Sequence, residues 1–123
     1  MKMIRPLFLG CLFALGAVGS LRAEMELAMI EQPGCNWCAR WNAEIAPIYP
    51  KTSEALAAPL RRLQLREPLP PDVNLARPAV FTPTFVLLVD GVEASRIEGY
   101  PGADFFWALL GEMIEKSEAS TEP

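Results

Sequence analysis

The chain of 123 residues carries 11 basic residues, 15 acidic residues, three cysteines and no histidine. This length allows one small domain, and the formal net charge of −4 argues against nucleic acid as a partner. Because histidine is absent, a metal site would depend on cysteines and carboxylates alone.

The N-terminal segment has the composition of a secretory signal peptide. Lys2 and Arg5 give a positively charged start, residues 7–18 are almost wholly apolar, and small residues lead up to Ala23. The apolar run falls short of the roughly 20 residues that span a bilayer, which favours a cleaved signal over an uncleaved membrane anchor. We therefore expect a signal peptide at residues 1–23 and export to the periplasm.

Removal of this segment leaves one folded domain at residues 24–123. Three basic residues leave with it, so 8 basic residues face 15 acidic ones and the net charge is about −7. Cys11 leaves as well, since too few apolar residues precede it for a lipoprotein signal. Cys35 and Cys38 then remain as the only thiols, in a compartment where disulfides form and persist.

Strand and helix patterns alternate from residue 24 onward. Residues 24–30 are patterned as a half-buried strand, and Gln-Pro-Gly at residues 32–34 breaks it. A helix follows, with an apolar face at spacings of three and four residues, and Pro47 should kink or end it. That face consists of Cys38, Trp41, Ile45 and Ile48.

A short helix and a second strand come next. Residues 55–58 are patterned as a helix that begins after Thr52, and residues 60–65 alternate as a strand with one polar face. Four prolines crowd residues 68–78, for which we expect an irregular loop with one turn of helix near residues 72–75.

The strongest strand signal lies at residues 84–89, and an Asp-Gly turn then predicts a hairpin to residues 92–98. A last helix begins near Asp104, and the polar residues 117–123 are expected to fray. The order of elements predicts an α/β fold with a central mixed sheet and helices on both faces. The last helix should bury a broad apolar face of Phe105, Phe106, Leu109, Leu110, Met113 and Ile114.

Cys35 and Cys38 stand where the first strand ends and the first helix begins. A disulfide across so short a loop stabilises a fold little, so a reactive pair is favoured over a structural bridge. Free N–H groups and the positive end of the helix stabilise a thiolate there, which makes Cys35 the candidate nucleophile. Cys38 lies about one turn further along on the apolar face, as a buried resolving thiol would.

Two other uses of such a pair are disfavoured. A structural zinc ion needs four ligands, and the sequence offers neither a histidine nor a second cysteine pair. Covalent haem attachment needs a histidine after the second cysteine, where this chain has Ala39. We therefore expect no metal and no cofactor.

Residues 81–91 read Phe-Thr-Pro-Thr, then five apolar residues, then Asp-Gly, and together with the cysteine pair they resemble thioredoxin. In that family a cis-proline lies beside the cysteines and precedes a strand. The resemblance implies a thioredoxin-like fold, a cis bond before Pro83 and pairing of a substrate chain with the Thr82 backbone. Trp37 is a further candidate substrate contact, although packing is the simpler role for both Trp37 and Tyr100.

The chain departs from ordinary thioredoxin around the cysteines. Asn36 and Trp37 replace Gly-Pro between them, no tryptophan precedes Cys35, and Met29 stands where thioredoxins usually bury an acid. Glu31 is the nearest carboxylate along the chain, and we expect it to be a solvated loop acid.

Three further motifs lie at residues 31–35 (Glu-Gln-Pro-Gly-Cys), 38–41 (Cys-Ala-Arg-Trp) and 98–102 (Glu-Gly-Tyr-Pro-Gly), the last before Phe-Phe-Trp. With them, most of the mature chain resembles a narrower group, the periplasmic thioredoxin-like SoxS proteins of bacterial sulfur-oxidation clusters. The likeness implies a reductase that frees a blocked cysteine of a sulfur-carrier protein, held as a disulfide or persulfide. We expect a monomer that draws electrons from a membrane thiol–disulfide donor.

Other functions stay open at this point. A thiol oxidase or disulfide isomerase uses the same chemistry, although the chain lacks the length for the extra domains of the DsbA and DsbC types. Thr82 before Pro83 does resemble the DsbC type. A glutathione-dependent glutaredoxin is disfavoured, because periplasmic reductants usually draw electrons from a membrane thiol carrier. A redox-inactive binding module is the alternative from another class, and replacement of Cys35 by serine separates it from an enzyme.

Overall fold

The computed structural model describes residue 16 and residues 23–121. The predicted signal peptide, with Cys11, lies outside these residues except at positions 16 and 23. No helix within the described residues is long and apolar enough to cross a membrane. The elements are β1 (Met25–Glu31), α1 (Asn36–Glu44), α2 (Ser53–Ala57), β2 (Leu60–Gln64), β3 (Thr84–Val89), β4 (Val92–Glu98) and α3 (Ala103–Thr121), with a 3-10 turn at Tyr49–Lys51.

The strands form one mixed sheet in the order β2-β1-β3-β4. β1 and β2 are parallel, so the chain crosses from the end of one to the start of the other through α1 and α2. The β1–β3 and β3–β4 pairs are antiparallel. β3 is apolar from Phe85 to Val89, as expected of a strand whose two faces are both covered. The predicted α/β fold with a central mixed sheet is therefore confirmed.

One face of the sheet, which carries Leu27 and Phe85, packs against the helices. Trp41 of α1 has its ring centroid 5.2 Å from that of Phe85 and 5.8 Å from that of Phe106 in α3. These side chains are fully buried, and burial of one large apolar side chain contributes about 1.5–3 kcal/mol. This aromatic layer fixes the position of α1, the helix that begins at the cysteine pair.

The opposite face carries Ile30 and is covered by the proline-rich segment between β2 and β3, through residues such as Val73. No described helix packs there, so the prediction of helices on both faces is wrong for this face. Prolines explain the difference, because each removes an N–H donor and obstructs a helix. The predicted helical turn near residues 72–75 is also wrong, since Asn74 forms a parallel bridge with Val92.

The first helix is shorter than its apolar spacing predicts. α1 ends at Glu44, and turns continue to Ile48, which is 47% exposed. Pro47 disfavours helical backbone at the residue before it, so the chain leaves the helix early. Ile48 is therefore wrongly predicted as part of the buried face of this helix.

The last helix buries a narrower face than predicted, and residues 117–121 are helical although fraying is predicted there. Phe105 and Leu109 are 69% and 38% exposed and lie off the core-facing arc. α3 continues to Thr121 because Ser117, buried, extends that arc by another turn. The arc consists of Phe106, Leu110, Met113, Ile114 and Ser117.

The β3–β4 turn is the Asp-Gly turn that the sequence predicts. Asp90 and Gly91 have φ of 51° and 80°, as the mirror-image turn of a tight hairpin requires. A Cβ at Gly91 would overlap the carbonyl oxygen of Asp72. Glycine thus lets the hairpin lie close against the proline-rich segment.

Candidate active site

Cys35 is placed at the start of α1 by the turn that follows β1. Gly34 has φ of 79°, which glycine adopts without steric penalty. Cys35 has extended backbone and caps α1, and its Sγ accepts a 3.1 Å hydrogen bond from the Cys38 N–H. That N–H and the positive end of the helix stabilise negative charge on a sulfur in this position.

The two cysteines differ in exposure. They are joined by a disulfide, with Cα atoms 5.2 Å apart. Cys38 is 3% exposed and belongs to the core with Trp41, whereas Cys35 is only partly buried. A partner can approach the sulfur of Cys35 far more easily than that of Cys38. This asymmetry is what the predicted roles of nucleophile and resolving thiol require.

The register between β1 and β3 brings Pro83 beside the cysteine-bearing turn. Ile30 pairs with Thr84, so the two antiparallel strands lead to Gln32 on one side and Thr82 on the other. The Thr82–Pro83 bond is cis, as the resemblance implies, and Pro83 is buried. The Gln32 side-chain amide donates a 2.9 Å hydrogen bond to Thr82 Oγ1. The two halves of the site are therefore in direct contact.

Two more hydrogen bonds hold the cis-proline loop. Thr84 Oγ1 donates to the Phe81 carbonyl at 2.6 Å, and the Gly99 N–H donates to the Pro83 carbonyl at 2.7 Å. Within residues 23–121, the backbone N–H and C=O of Thr82 make no hydrogen bond. Both groups are thus available to an added strand.

Exposed apolar side chains flank both loops of the site. Trp37 is 54% exposed between the cysteines, so packing is the wrong role for it, and Arg40 Cζ lies 5.6 Å from its ring centroid. Phe81 and Val80, just before the cis-proline, are 61% and 72% exposed. The sequence-based prediction of substrate contacts includes neither Val80 nor Phe81. Two large apolar residues outside any strand and directly before a Thr-Pro motif could have indicated such a contact.

Tyr100 is buried and connects the β4–α3 loop to α1. Its hydroxyl donates to Glu44 Oε2 at 2.5 Å, and Arg40 Nε donates to Glu44 Oε1 at 2.8 Å. The bond from Arg40, followed by that from Tyr100, lowers the pKa of Glu44. Burial, followed by the bond to Glu44, raises the pKa of Tyr100 to about 12. The packing role predicted for Tyr100 is confirmed.

Glu31 is the last residue of β1 rather than the solvated loop acid that the sequence predicts. Its side chain is 16% exposed and accepts a 2.6 Å hydrogen bond from Arg62 Nη1. Arg62 also donates to Asn42 Oδ1 in α1 at 2.9 Å. Because side chains alternate along a strand, Glu31 shares a face with Met29, which packs in the core with Cys38. The ion pair therefore lies on the α1 side of the sheet.

The described residues form several surface clefts, two of which exceed 500 Å³. One, of about 590 Å³, lies beside the turn before Cys35 and is lined by Gln32, Pro33, Gln64, Arg66 and Glu67. The other, of about 510 Å³, lies between β4 and α3, and no residue of the two site loops lines it. In the part of the chain that the structure describes, no three histidine, cysteine or acidic side chains are grouped as a metal site would need.

The fold and the disulfide at the start of α1 define the class of protein, a thioredoxin-like thiol:disulfide oxidoreductase. No protein-family model and no curated protein matches the chain. Among solved structures, it is similar to the reduced form of the periplasmic thioredoxin SoxS from Paracoccus pantotrophus. The two are 61% identical, the match covers 76% of this chain and 99% of that one, and the TM-score is 0.75. The chain therefore belongs to the SoxS family of thioredoxins.

Proposed function

We propose that this protein is a periplasmic dithiol reductase that keeps a cysteine of a partner protein in its thiol form. The observation that carries the proposal is the asymmetry of the pair, since Cys35 caps α1 and is partly exposed while Cys38 is buried. The similarity to a periplasmic SoxS thioredoxin supports the same class of chemistry and the same compartment.

The reduced pair acts in two displacement steps. The Cys35 thiolate attacks one substrate sulfur, the bond from Cys35 to that sulfur forms, and the substrate S–S bond breaks to release a first thiolate. Cys38 then loses its proton and attacks Cys35 Sγ, which forms the Cys35–Cys38 disulfide and releases the second substrate sulfur as a thiolate. Two electrons pass from the pair to the substrate, and a membrane thiol–disulfide donor then supplies two further electrons that reduce the Cys35–Cys38 disulfide again.

Thr82, Pro83 and Trp37 bind the substrate in this proposal. The unpaired backbone groups of Thr82 take an extended segment as an added strand, and the exposed indole of Trp37 supplies apolar contact area. Strand addition needs a peptide chain next to the reacting sulfur, which favours a protein disulfide or persulfide over a small molecule. The SoxS resemblance makes a sulfur-carrier protein our candidate partner.

We also propose that residues 1–23 are a cleaved signal peptide and that residues 24–123 form a monomeric mature domain. The charged start at Lys2 and Arg5 and the short apolar run after them support it. Intact mass of the protein recovered from the periplasm tests the boundary, with a chain beginning at residue 24 expected. A mass for the whole chain would contradict it.

Reduction of insulin by the protein, with dithiothreitol as electron donor, tests the activity. We expect the native protein to accelerate precipitation of the reduced chains, and the Cys35→Ser variant to lose this acceleration entirely. An exposed serine on α3, Ser120, offers a matched control, since Ser120→Ala should keep full activity. If the native protein accelerates precipitation no more than a blank without protein does, the redox-inactive binding module is supported instead.

The direction of electron flow is tested by the reduction potential in glutathione buffers. The reduction potential of thioredoxin is about −270 mV, and that of the oxidase DsbA is about −120 mV. A value close to the first agrees with a reductase. A value close to the second, with a stable disulfide-donating form, would support an oxidase or isomerase.

A further inference from the structure

We propose that Gln32 is a positioning residue that holds Thr82 at a fixed place relative to Cys35 for docking of the substrate chain. The inference rests on the proposed function and deepens it, because it names the contact that joins the two loops of the site.

Gln32 is bonded to both loops at once. Its side-chain amide donates to Thr82 Oγ1 at 2.9 Å, across 50 positions of sequence, and both side chains are partly buried. Its backbone carbonyl accepts from the Cys35 N–H at 3.4 Å in the turn that leads into α1. One residue therefore spans the distance between the attacking sulfur and the backbone that would receive the substrate.

The position of Thr82 depends on the hydrogen bond from Gln32 more than the positions of Phe81 and Pro83 do. The carbonyls of Phe81 and Pro83 are held by Thr84 Oγ1 and by the Gly99 N–H. In the described part of the chain, the bond from Gln32 is the single hydrogen bond that Thr82 makes outside its own loop. Loss of that bond frees the Thr82 side chain to rotate and loosens the peptide groups on either side of it.

The consequence for catalysis is selective. A substrate that pairs with the Thr82 backbone binds less tightly when that backbone is less ordered, because docking must then order it. A small disulfide that meets only Cys35 is unaffected, since the hydrogen bond from the Cys38 N–H to Cys35 Sγ does not involve Gln32. The effect should therefore appear in the KM for a peptide substrate and leave the reaction with a small disulfide unchanged.

The test compares four variants on two substrates, a synthetic peptide with one disulfide and the small aromatic disulfide DTNB. Gln32→Leu removes the donor, Thr82→Val removes the acceptor, and the third variant combines both. Gln64→Leu is the matched control, because Gln64 lines the same cleft as Gln32 and makes no bond to Thr82. A neutral hydrogen bond contributes about 0.5–1.5 kcal/mol, so we expect a rise of about two- to tenfold in the peptide KM for each single variant.

If Gln32 acts through Thr82, the double variant is no worse than Thr82→Val alone, and DTNB reduction and the Gln64→Leu control stay at the native values. The proposal would be overturned if the increases in peptide KM of the two single variants multiplied in the double variant. It would also be overturned if the variants lost as much activity with DTNB as with the peptide. Failure of the native protein to reduce either substrate would instead refute the proposed function.

A measurement independent of turnover decides the positioning in that case. The side-chain amide NMR signals of Gln32 should move in Thr82→Val and stay in place in Thr82→Ser, which keeps the hydroxyl. Unchanged signals in Thr82→Val would show that the bond does not exist in solution and would overturn the inference.

Discussion

Replacement of Trp37 tests substrate docking, and the exposed area of its side chain sets the size of the expected effect. A tryptophan presents up to about 250 Å² of surface, so the 54% that is exposed leaves roughly 130 Å² for a partner to cover. At about 25 cal/mol per Å² this area is worth at most about 3 kcal/mol, and the ordering of both partners offsets part of it. We expect Trp37→Ala to raise the KM for insulin about five- to tenfold, or about 1–1.4 kcal/mol.

The assay measures initial rates with insulin and with DTNB. Leu56→Ala is the matched control, because Leu56 is 86% exposed on α2, before β2 begins and hence at the end of the sheet opposite Cys35. We expect the control to keep both KM values and Trp37→Ala to keep the rate with DTNB. An unchanged insulin KM in a folded Trp37→Ala variant would refute the docking role of the indole.

Two further predictions concern the layer that supports the site. Tyr49→Phe removes the donor to the buried Ala58 carbonyl, 2.6 Å away, and should lower the free energy of unfolding by about 1–3 kcal/mol in urea denaturation. Glu44 has a lowered pKa because of the bonds from Arg40 and Tyr100, so its contribution to stability is present above its ordinary value of 4.5 and is lost as pH falls through the lower folded value. Glu44→Gln should therefore show a smaller fall in stability on acidification in urea titrations from about pH 5 to pH 3.

Each of these has a control on the exposed side of α3. Ser120→Ala breaks a hydrogen bond between a hydroxyl and a carbonyl that is exposed to water, and should change stability by less than about 0.5 kcal/mol. An equal loss in Tyr49→Phe and Ser120→Ala would mean that burial of the carbonyl does not matter. Glu112→Gln removes the acid of the exposed ion pair with Lys116, whose charged atoms are 3.6 Å apart. We expect stability to fall on acidification in this variant as much as in the native protein. If Glu44→Gln also keeps the loss of stability on acidification, the hydrogen bonds that Glu44 accepts from Arg40 and Tyr100 are not the cause of that loss.

Much of the fold is predictable because its signals are local. The run of apolar residues at β3 identifies a strand covered on both faces, and the Asp-Gly turn fixes the hairpin after it. Cys35 falls at the start of a helix because Gln-Pro-Gly breaks β1 just before it. Each of these signals involves only a few neighbouring residues, so the amino-acid sequence alone is enough to predict the feature.

Other features depend on register and could not be predicted. Glu31 becomes an ion-paired residue because β2, paired in parallel with β1, brings Arg62 within reach. Glu93 and Arg96 lie three apart in β4, which predicts opposite faces, yet an irregularity opposite Leu87 and Leu88 places both on one face. Their side chains pair there with 6% exposure each.

Helical periodicity has a similar limit, because it gives angles between side chains without saying which arc meets the core. Phe105 and Leu109 fit the apolar spacing of α3 as well as Phe106 does, and only the sheet decides that they face solvent. The bond from Gln32 to Thr82 is likewise invisible in the sequence, since it depends on Ile30 being paired with Thr84.

The roles of the two cysteines are tested most directly by mixing a disulfide peptide with the Cys38→Ser variant and following the products by intact mass spectrometry. We expect Cys35 to attack and no thiol to resolve the product, so a stable adduct of one peptide fragment accumulates on Cys35. The Cys35→Ser variant should form an adduct on Cys38 far more slowly, because Cys38 is only 3% exposed. An adduct that forms equally fast on Cys38, or none on Cys35, would contradict the assignment of attacking and resolving thiols.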